Sequence, residues 1–205
     1  MRAILGVSLW VTGALVLSVG ASLSAQTTLP ISEEQIVYEV IGEFNNSGLA
    51  SQQFGYFADI TGLNNVFGSP TTKNETTALF TFVTNATTFQ VVNNGPFRIV
   101  DRTGTTTVYL NSGPSDFSNS ATFSQGTPIQ VSTYRQQVIL NTLTNTFVTV
   151  HTNTITSVET FTLNGIDYRL GQLGKSFRTN YSGQSNTPGG VPSGWFAGTS
   201  IGSKN

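Results

Sequence analysis

The sequence predicts an all-β domain, an antiparallel barrel, and three observations predict it. β-Branched and aromatic residues gather in short runs separated by Gly, Asn, Ser and Pro, which is a strand-and-turn pattern. Several runs alternate. Phe54, Tyr56, Ala58 and Ile60 share one face, Ala78, Phe80 and Phe82 another, and Thr87, Phe89 and Val91 a third, with Gln90 opposite. Period-two alternation implies a sheet with one buried and one wetter face. No segment holds a 3.6-residue apolar period for a dozen residues, so helix is confined to a turn or two. Strands joined by hairpins, without crossover helices or disulfides, close into an antiparallel barrel or stack as a β-sandwich. The barrel is preferred narrowly, because closure removes edges that would be hazardous in so uncharged a chain. The sandwich is the alternative.

The elements follow in order. Arg2 precedes an apolar run over 3–19 and a small-residue stretch over 20–25, the order of a secretory signal peptide. Cleavage is expected after Ala25, with Ala21 and Ser24 as alternative positions. The alternative is an uncleaved anchor, since roughly 20 apolar residues span a bilayer; Gly6, Ser8, Thr12, Gly13 and Ser18 dilute the run and argue for cleavage. The expected location is secreted, extracellular or periplasmic, with no membrane attachment after cleavage. Residues 26–183 form one all-β domain and 184–205 a Gly/Ser/Pro-rich irregular tail, in which Trp195-Phe196 is the only large apolar element.

Strands are predicted at 35–44, 53–61, 77–83, 87–92, 97–101, 105–110, 129–142, 147–152, 155–163, 167–170 and 176–181. Turns are expected at Asn93-Asn94-Gly95-Pro96, Arg102-Thr103-Gly104 and Asn164-Gly165, where residues tolerant of positive φ cluster. Asn164-Gly165, between two apolar triplets, is the sharpest hairpin signal. A further hairpin turning at Thr144-Asn145 sets Ile139 opposite His151 and Arg135 opposite Ile155. Two longer loops, 62–76 and 111–125, belong to a class that is usually functional or mobile.

Composition excludes several classes of function. Nine Lys and Arg against ten Asp and Glu leave a net charge of −1, with no electrostatic footprint for nucleic acid. A 38% hydrophobic content excludes disorder. The absence of Cys removes disulfides and thiolate chemistry. A single histidine, His151, removes the usual multi-histidine metal sites and reads as a strand histidine with satisfied hydrogen bonds. Gly171 to Ser176 resembles a P-loop only superficially. Position 169 is Arg where a Gly is required, and no helix pattern follows. Neither cofactor nor metal is expected.

The candidate site residues are Tyr56, Tyr109, Tyr134, Arg135 and Glu159. Arg135 shares parity with Ile129, Val131 and Ile139, and Glu159 with Ile155, Phe161 and Leu163. A charge on a buried face is costly unless paired, so these two are cavity groups, or else their face is exposed. The three tyrosines either line an aromatic pocket or are ordinary core.

Gly126-Thr127-Pro128-Ile129, then Tyr134-Arg135, then the hairpin to Phe147 resemble the later strands of dirigent and allene-oxide-cyclase-type barrels. The resemblance covers about a quarter of the chain. Asn141-Thr142-Leu143-Thr144-Asn145 replaces the glycine-rich turn expected before the Phe, and no catalytic residue carries over. It implies a calycin-like or allene-oxide-cyclase-like barrel able to hold a small apolar ligand. The leading expectation is therefore a secreted, non-enzymatic barrel that binds a small apolar molecule or a cell-surface or matrix component. A structural matrix or filament subunit, a homo-oligomer, is the first alternative. A cyclase- or isomerase-like enzyme using Arg135 and Glu159 is the second.

Overall fold

The structure, a computed structural model, describes residues 26–31, 35–186 and 193–202. The expected signal segment, 1–25, lies outside the described residues. Eight strands close into an all-antiparallel barrel. They are β2 (Ile36–Ser47), β3 (Ala50–Ile60), β4 (Phe80–Asn94), β5 (Phe97–Leu110), β6 (Thr127–Asn141), β7 (Thr146–Val158), β10 (Ser176–Ser185) and β11 (Ser193–Gly202). Their order round the wall is β10-β11-β2-β3-β4-β5-β6-β7. A parallel contact of β1 (Thr27–Leu29) with β9 (Ile166–Leu170), and the hairpin of β9 with β8 (Thr160–Leu163), make a separate three-stranded sheet. One short 3₁₀ turn, Ser120–Ser124, is capped by the Asn119 side chain.

The strands tilt strongly. One inward-facing row of partners runs Ser185, Gly194, Phe44, Gln53, Thr84, Thr106, Ser132 and Ile155. The Ser185 amide nevertheless bonds the Asn145 carbonyl, so the row returns to β7 displaced from Asn145 to Ile155. Such stagger is what closing a sheet requires.

The two ends are built differently. The connections β2–β3, β4–β5 and β6–β7 gather at one end, the mouth, beside the end of β10 and the start of β11. The other end takes the long connections 61–79 and 111–126 together with the β1-β9-β8 sheet. The long loops are structural cover. Phe67, Phe117 and Phe123 pack on the outward-facing Phe54 and Tyr56 of β3, and Thr81 on β4 donates to the Phe123 carbonyl at 2.8 Å. Phe54, Phe80, Phe123, Ile155 and Leu170 are fully buried there.

Three expectations are corrected. Arg102-Thr103-Gly104 is not a turn: the predicted pairs 77–83/87–92 and 97–101/105–110 are single long strands, β4 and β5. Gly104 sits in mid-strand because a Cβ there would lie 2.1 Å from the Asn85 carbonyl oxygen; the glycine permits close backbone approach. The β6–β7 hairpin pairs Ile139 with Val148 and Arg135 with Thr152. That register differs by an odd number of residues from the expected one, and an odd slip reverses which face of β6 lies opposite a given face of β7.

The end of the chain is not an irregular tail within its described part. Ser193–Gly202 is β11, the strand that joins β10 to β2 and closes the barrel. Its glycines face inward under aromatic rings. A Cβ on Gly198 would meet the Tyr181 ring at 2.6 Å, and one on Gly183 of β10 would meet the Phe147 ring at 2.5 Å. The Asn164-Gly165 hairpin forms as expected, with φ of 51° and 78°. Gly171 to Ser176 is the turn into β10, with Gly171 and Gly174 at positive φ.

Candidate ligand-binding cavity

Inside the barrel the side chains fall into layers, because every second residue of each strand points inward. Near the closed end the filling is apolar: Tyr38, Phe57, Phe82 and Phe177 pack edge to face at 5.2–5.7 Å. The next layer is polar and hydrogen-bonded. Thr84 and Thr106 share a bond of 2.8 Å, and Thr179 and Ser200 one of 2.7 Å. The Asn153 amide donates to Ser132 at 2.9 Å and to Thr106 at 3.2 Å. With its nitrogen so engaged, Asn153 presents its oxygen to His151 Nδ1 at 2.7 Å.

His151 therefore carries its proton on Nδ1. Its ring lies between Tyr134 and Tyr181, 4.7 Å from each. Burial pulls its pKa down to about 3, against the weaker upward effect of the Asn153 bond. Nε2 is buried without a protein partner, so only half of the expected satisfaction is realised. Burial likewise raises the Tyr134 and Tyr181 phenols, which stay neutral.

Above this layer a cavity of about 220 Å³ opens toward the mouth. Its walls are apolar, with Phe44, Val100, Val138, Leu140, Phe147 and Phe196 among them. Ring contacts stiffen them: Phe44 meets Phe147 edge-on at 5.5 Å, and Tyr181 stacks on Phe196 at 4.5 Å. The floor is a polar relay. Tyr134 donates to Gln53 Oε1 at 2.9 Å, Gln53 donates to Gln136 Oε1 at 3.2 Å, and Arg102 Nη1 donates to the same Gln136 oxygen at 3.1 Å. Arg102 Nε donates to Thr88 at 3.2 Å, and Nη2 reaches Asn46 Oδ1 at 3.5 Å. Arg98, four residues away along β5, is exposed at the rim. Among the described residues no Asp or Glu lines the cavity.

Of the five candidates, the structure places only Tyr134 in the interior. Arg135 is on the outer wall, its guanidinium 5.5 Å over the Phe89 ring. Glu159 is exposed just past β7 and accepts a bond from Ser157 at 3.2 Å. The two charges are not brought together. Tyr56 lies under the loop cover between Phe67 and Phe117, its pKa raised by burial and then by Glu75. Tyr109 sits half-buried on the outer face beside Thr81.

The cavity groups that sequence reading passed over are Arg102, Gln53, Gln136, Thr149 and Tyr181. Arg102 was hidden inside an expected turn. Its signal was the alternation Arg98, Val100, Arg102, Gly104, Thr106 and Val108, which reads as one strand once Gly104 is accepted in mid-strand. Among the described residues no group of three or more His, Cys, Asp or Glu is placed to hold a metal ion. Compared with protein-family models, with characterised proteins and with solved structures, the chain matches none.

Proposed function

We propose that this protein is an exported, non-enzymatic barrel that binds a small ligand in its mouth. The observation that carries the reading is the cavity itself: an apolar-walled space of about 220 Å³ that ends on a hydrogen-bonded polar floor. Concave apolar pockets with a few convergent polar groups are the usual form of small-molecule sites, and barrel mouths are a common place for them. A barrel with a merely structural role would fill that space with side chains, as the closed end does.

Two observations weigh on the alternatives. The closed wall offers no free strand edge, so a filament built by adding a strand to the barrel lacks its template. The cyclase reading rested on Arg135 and Glu159, and both lie outside the cavity.

The test is methyl NMR of the purified protein titrated with a panel of neutral aromatic fragments. Shifts should concentrate at Val100, Val138 and Leu140, and Leu140→Trp should abolish them by filling the cavity. An absence of shifts across the panel, or shifts indifferent to Leu140→Trp, would overturn the reading.

A further inference from the structure

The cavity is apolar, yet its one half-buried charge has no counter-charge. Every acceptor that Arg102 uses is neutral: the Thr88 hydroxyl, the Gln136 amide oxygen and the Asn46 amide oxygen. These three contacts leave two of its five N–H groups without a protein acceptor. They also hold the guanidinium in place at the floor, so little further ordering is needed when something binds.

Nearby titratable groups do not compensate the charge. Burial lowers the Arg102 pKa first, the Tyr134 phenol raises it, and the like charge of Arg98 lowers it again. Tyr134 is itself held neutral by burial, so no anion faces the guanidinium. Uncompensated charge in a partly desolvated site is costly, and a bound anion would relieve it. Thr149 of β7 is also among the residues round the cavity, and its buried hydroxyl has no hydrogen-bond partner.

We infer that the mouth takes a small organic carboxylate, an apolar body ending in one negative group, with Arg102 as the anchor. This rests on the ligand-binding reading above and names the class of ligand. The carboxylate would accept from the free Arg102 N–H groups, a charge-assisted bond stronger than a neutral one. Arg98 at the rim adds a second positive charge that draws anions toward the opening. Size limits the body. An engineered apolar cavity of about 150 Å³ holds benzene, so about 220 Å³ takes roughly nine heavy atoms, with room for a tail to emerge through the mouth.

The experiment uses three ligands of one shape: 3-phenylpropanoate, 3-phenylpropan-1-ol and 3-phenylpropylammonium, titrated calorimetrically into the unaltered protein. The carboxylate should bind at least tenfold more tightly than the alcohol, and the ammonium should not bind. Arg102→Met should erase the carboxylate's advantage over the alcohol, and residual binding of the alcohol that Leu140→Trp still blocks shows that the cavity is intact. Equal binding of carboxylate and alcohol, both blocked by Leu140→Trp, would overturn the inference and leave the binding reading standing. Binding of none of the three would overturn both. The three-ligand comparison decides the matter even where Arg102→Met does not fold.

Discussion

The two ends of the barrel share a wall but differ in what fills them. At the closed end, Phe80 and Leu170 are fully buried, Phe80 meets Phe161 edge-on at 5.6 Å, and two long loops add a second layer outside. At the mouth the same strands carry Arg98, Arg102, Gln53 and Gln136 beside an open cavity. The difference teaches where stability and recognition are invested. Close-packed apolar filling stabilises, because each buried side chain removes apolar surface from water and leaves no void. A half-filled mouth with an unpaired cation gives up part of that stability, the usual accompaniment of a site kept ready for a ligand.

The largest effect should come from emptying the packed end. Phe80→Ala should lower unfolding free energy in urea by about 3–5 kcal/mol, the range for a fully buried aromatic. Leu140→Ala, on the cavity wall, should cost about 1 kcal/mol or less, since it enlarges a space already open. Equal losses would mean that the mouth is packed as tightly as the closed end.

The second effect is pH-dependent and reports on the polar layer between the ends. His151 has a pKa near 3 in the folded protein against an ordinary 6.5. Below pH 6.5 the unfolded chain takes up a proton that the folded chain refuses. Stability therefore falls as pH drops from 6.5 toward 3, by up to about 1.4 kcal/mol per pH unit from this group. His151→Gln should remove that part of the slope, while leaving the other titrating groups in place. Parallel wild-type and variant curves from urea denaturation at pH 4 to 7 would show that the imidazole takes up its proton in the fold.

The third concerns the seam of glycines under rings. Gly183→Ala puts a Cβ 2.2 Å from the Trp195 carbonyl oxygen and 2.5 Å from the Phe147 ring. Overpacking of this kind should cost about 1–3 kcal/mol or more by thermal unfolding, and it should narrow the cavity that Phe147 lines. A melting temperature unchanged from wild type would mean that β10 and β11 relax freely. The smallest effect belongs to the outer wall: Arg135→Ala should change stability by about 0.5–1 kcal/mol, the size of an exposed cation–π contact, and leave ligand affinity unaltered. A loss of several kcal/mol would place Arg135 in a buried network after all.

The fold class was legible in the residues, and the reasons are local. Asn164-Gly165 at the β8–β9 hairpin and the lack of any helical period follow from neighbours in the chain, and the hairpin forms while the described residues contain no α-helix. The alternation expected along β3 does not hold: Gln53 to Phe57 are all buried, and a bulge at the Glu39/Val40 register shift turns Ile60 to the face opposite Phe54 and Tyr56. The site was not legible, because a barrel interior that is polar at mid-height inverts the usual rule. On β6 the inward face is Gln130, Ser132, Tyr134 and Gln136, while Val131 and Ile139 face out. Apolar parity therefore pointed to the wrong side of the strand and brought Arg135 with it.

Residues read along the chain were enough for an all-β class without disulfides, for the short turns at Gly95 and Gly165, and for helix limited to a turn or two, of which the described residues show one 3₁₀ turn. Only the tertiary structure decided which face of each strand is inside, that Gly104 and Gly198 belong to strands, and that Arg102 stands at the floor of a cavity without a carboxylate. The physical reason is one of range. Turn chemistry and alternation are set by residues a few positions apart. The register of β6 on β7, the closure of β11 onto β2 and the company that a buried charge keeps are set by residues that meet only when the barrel closes.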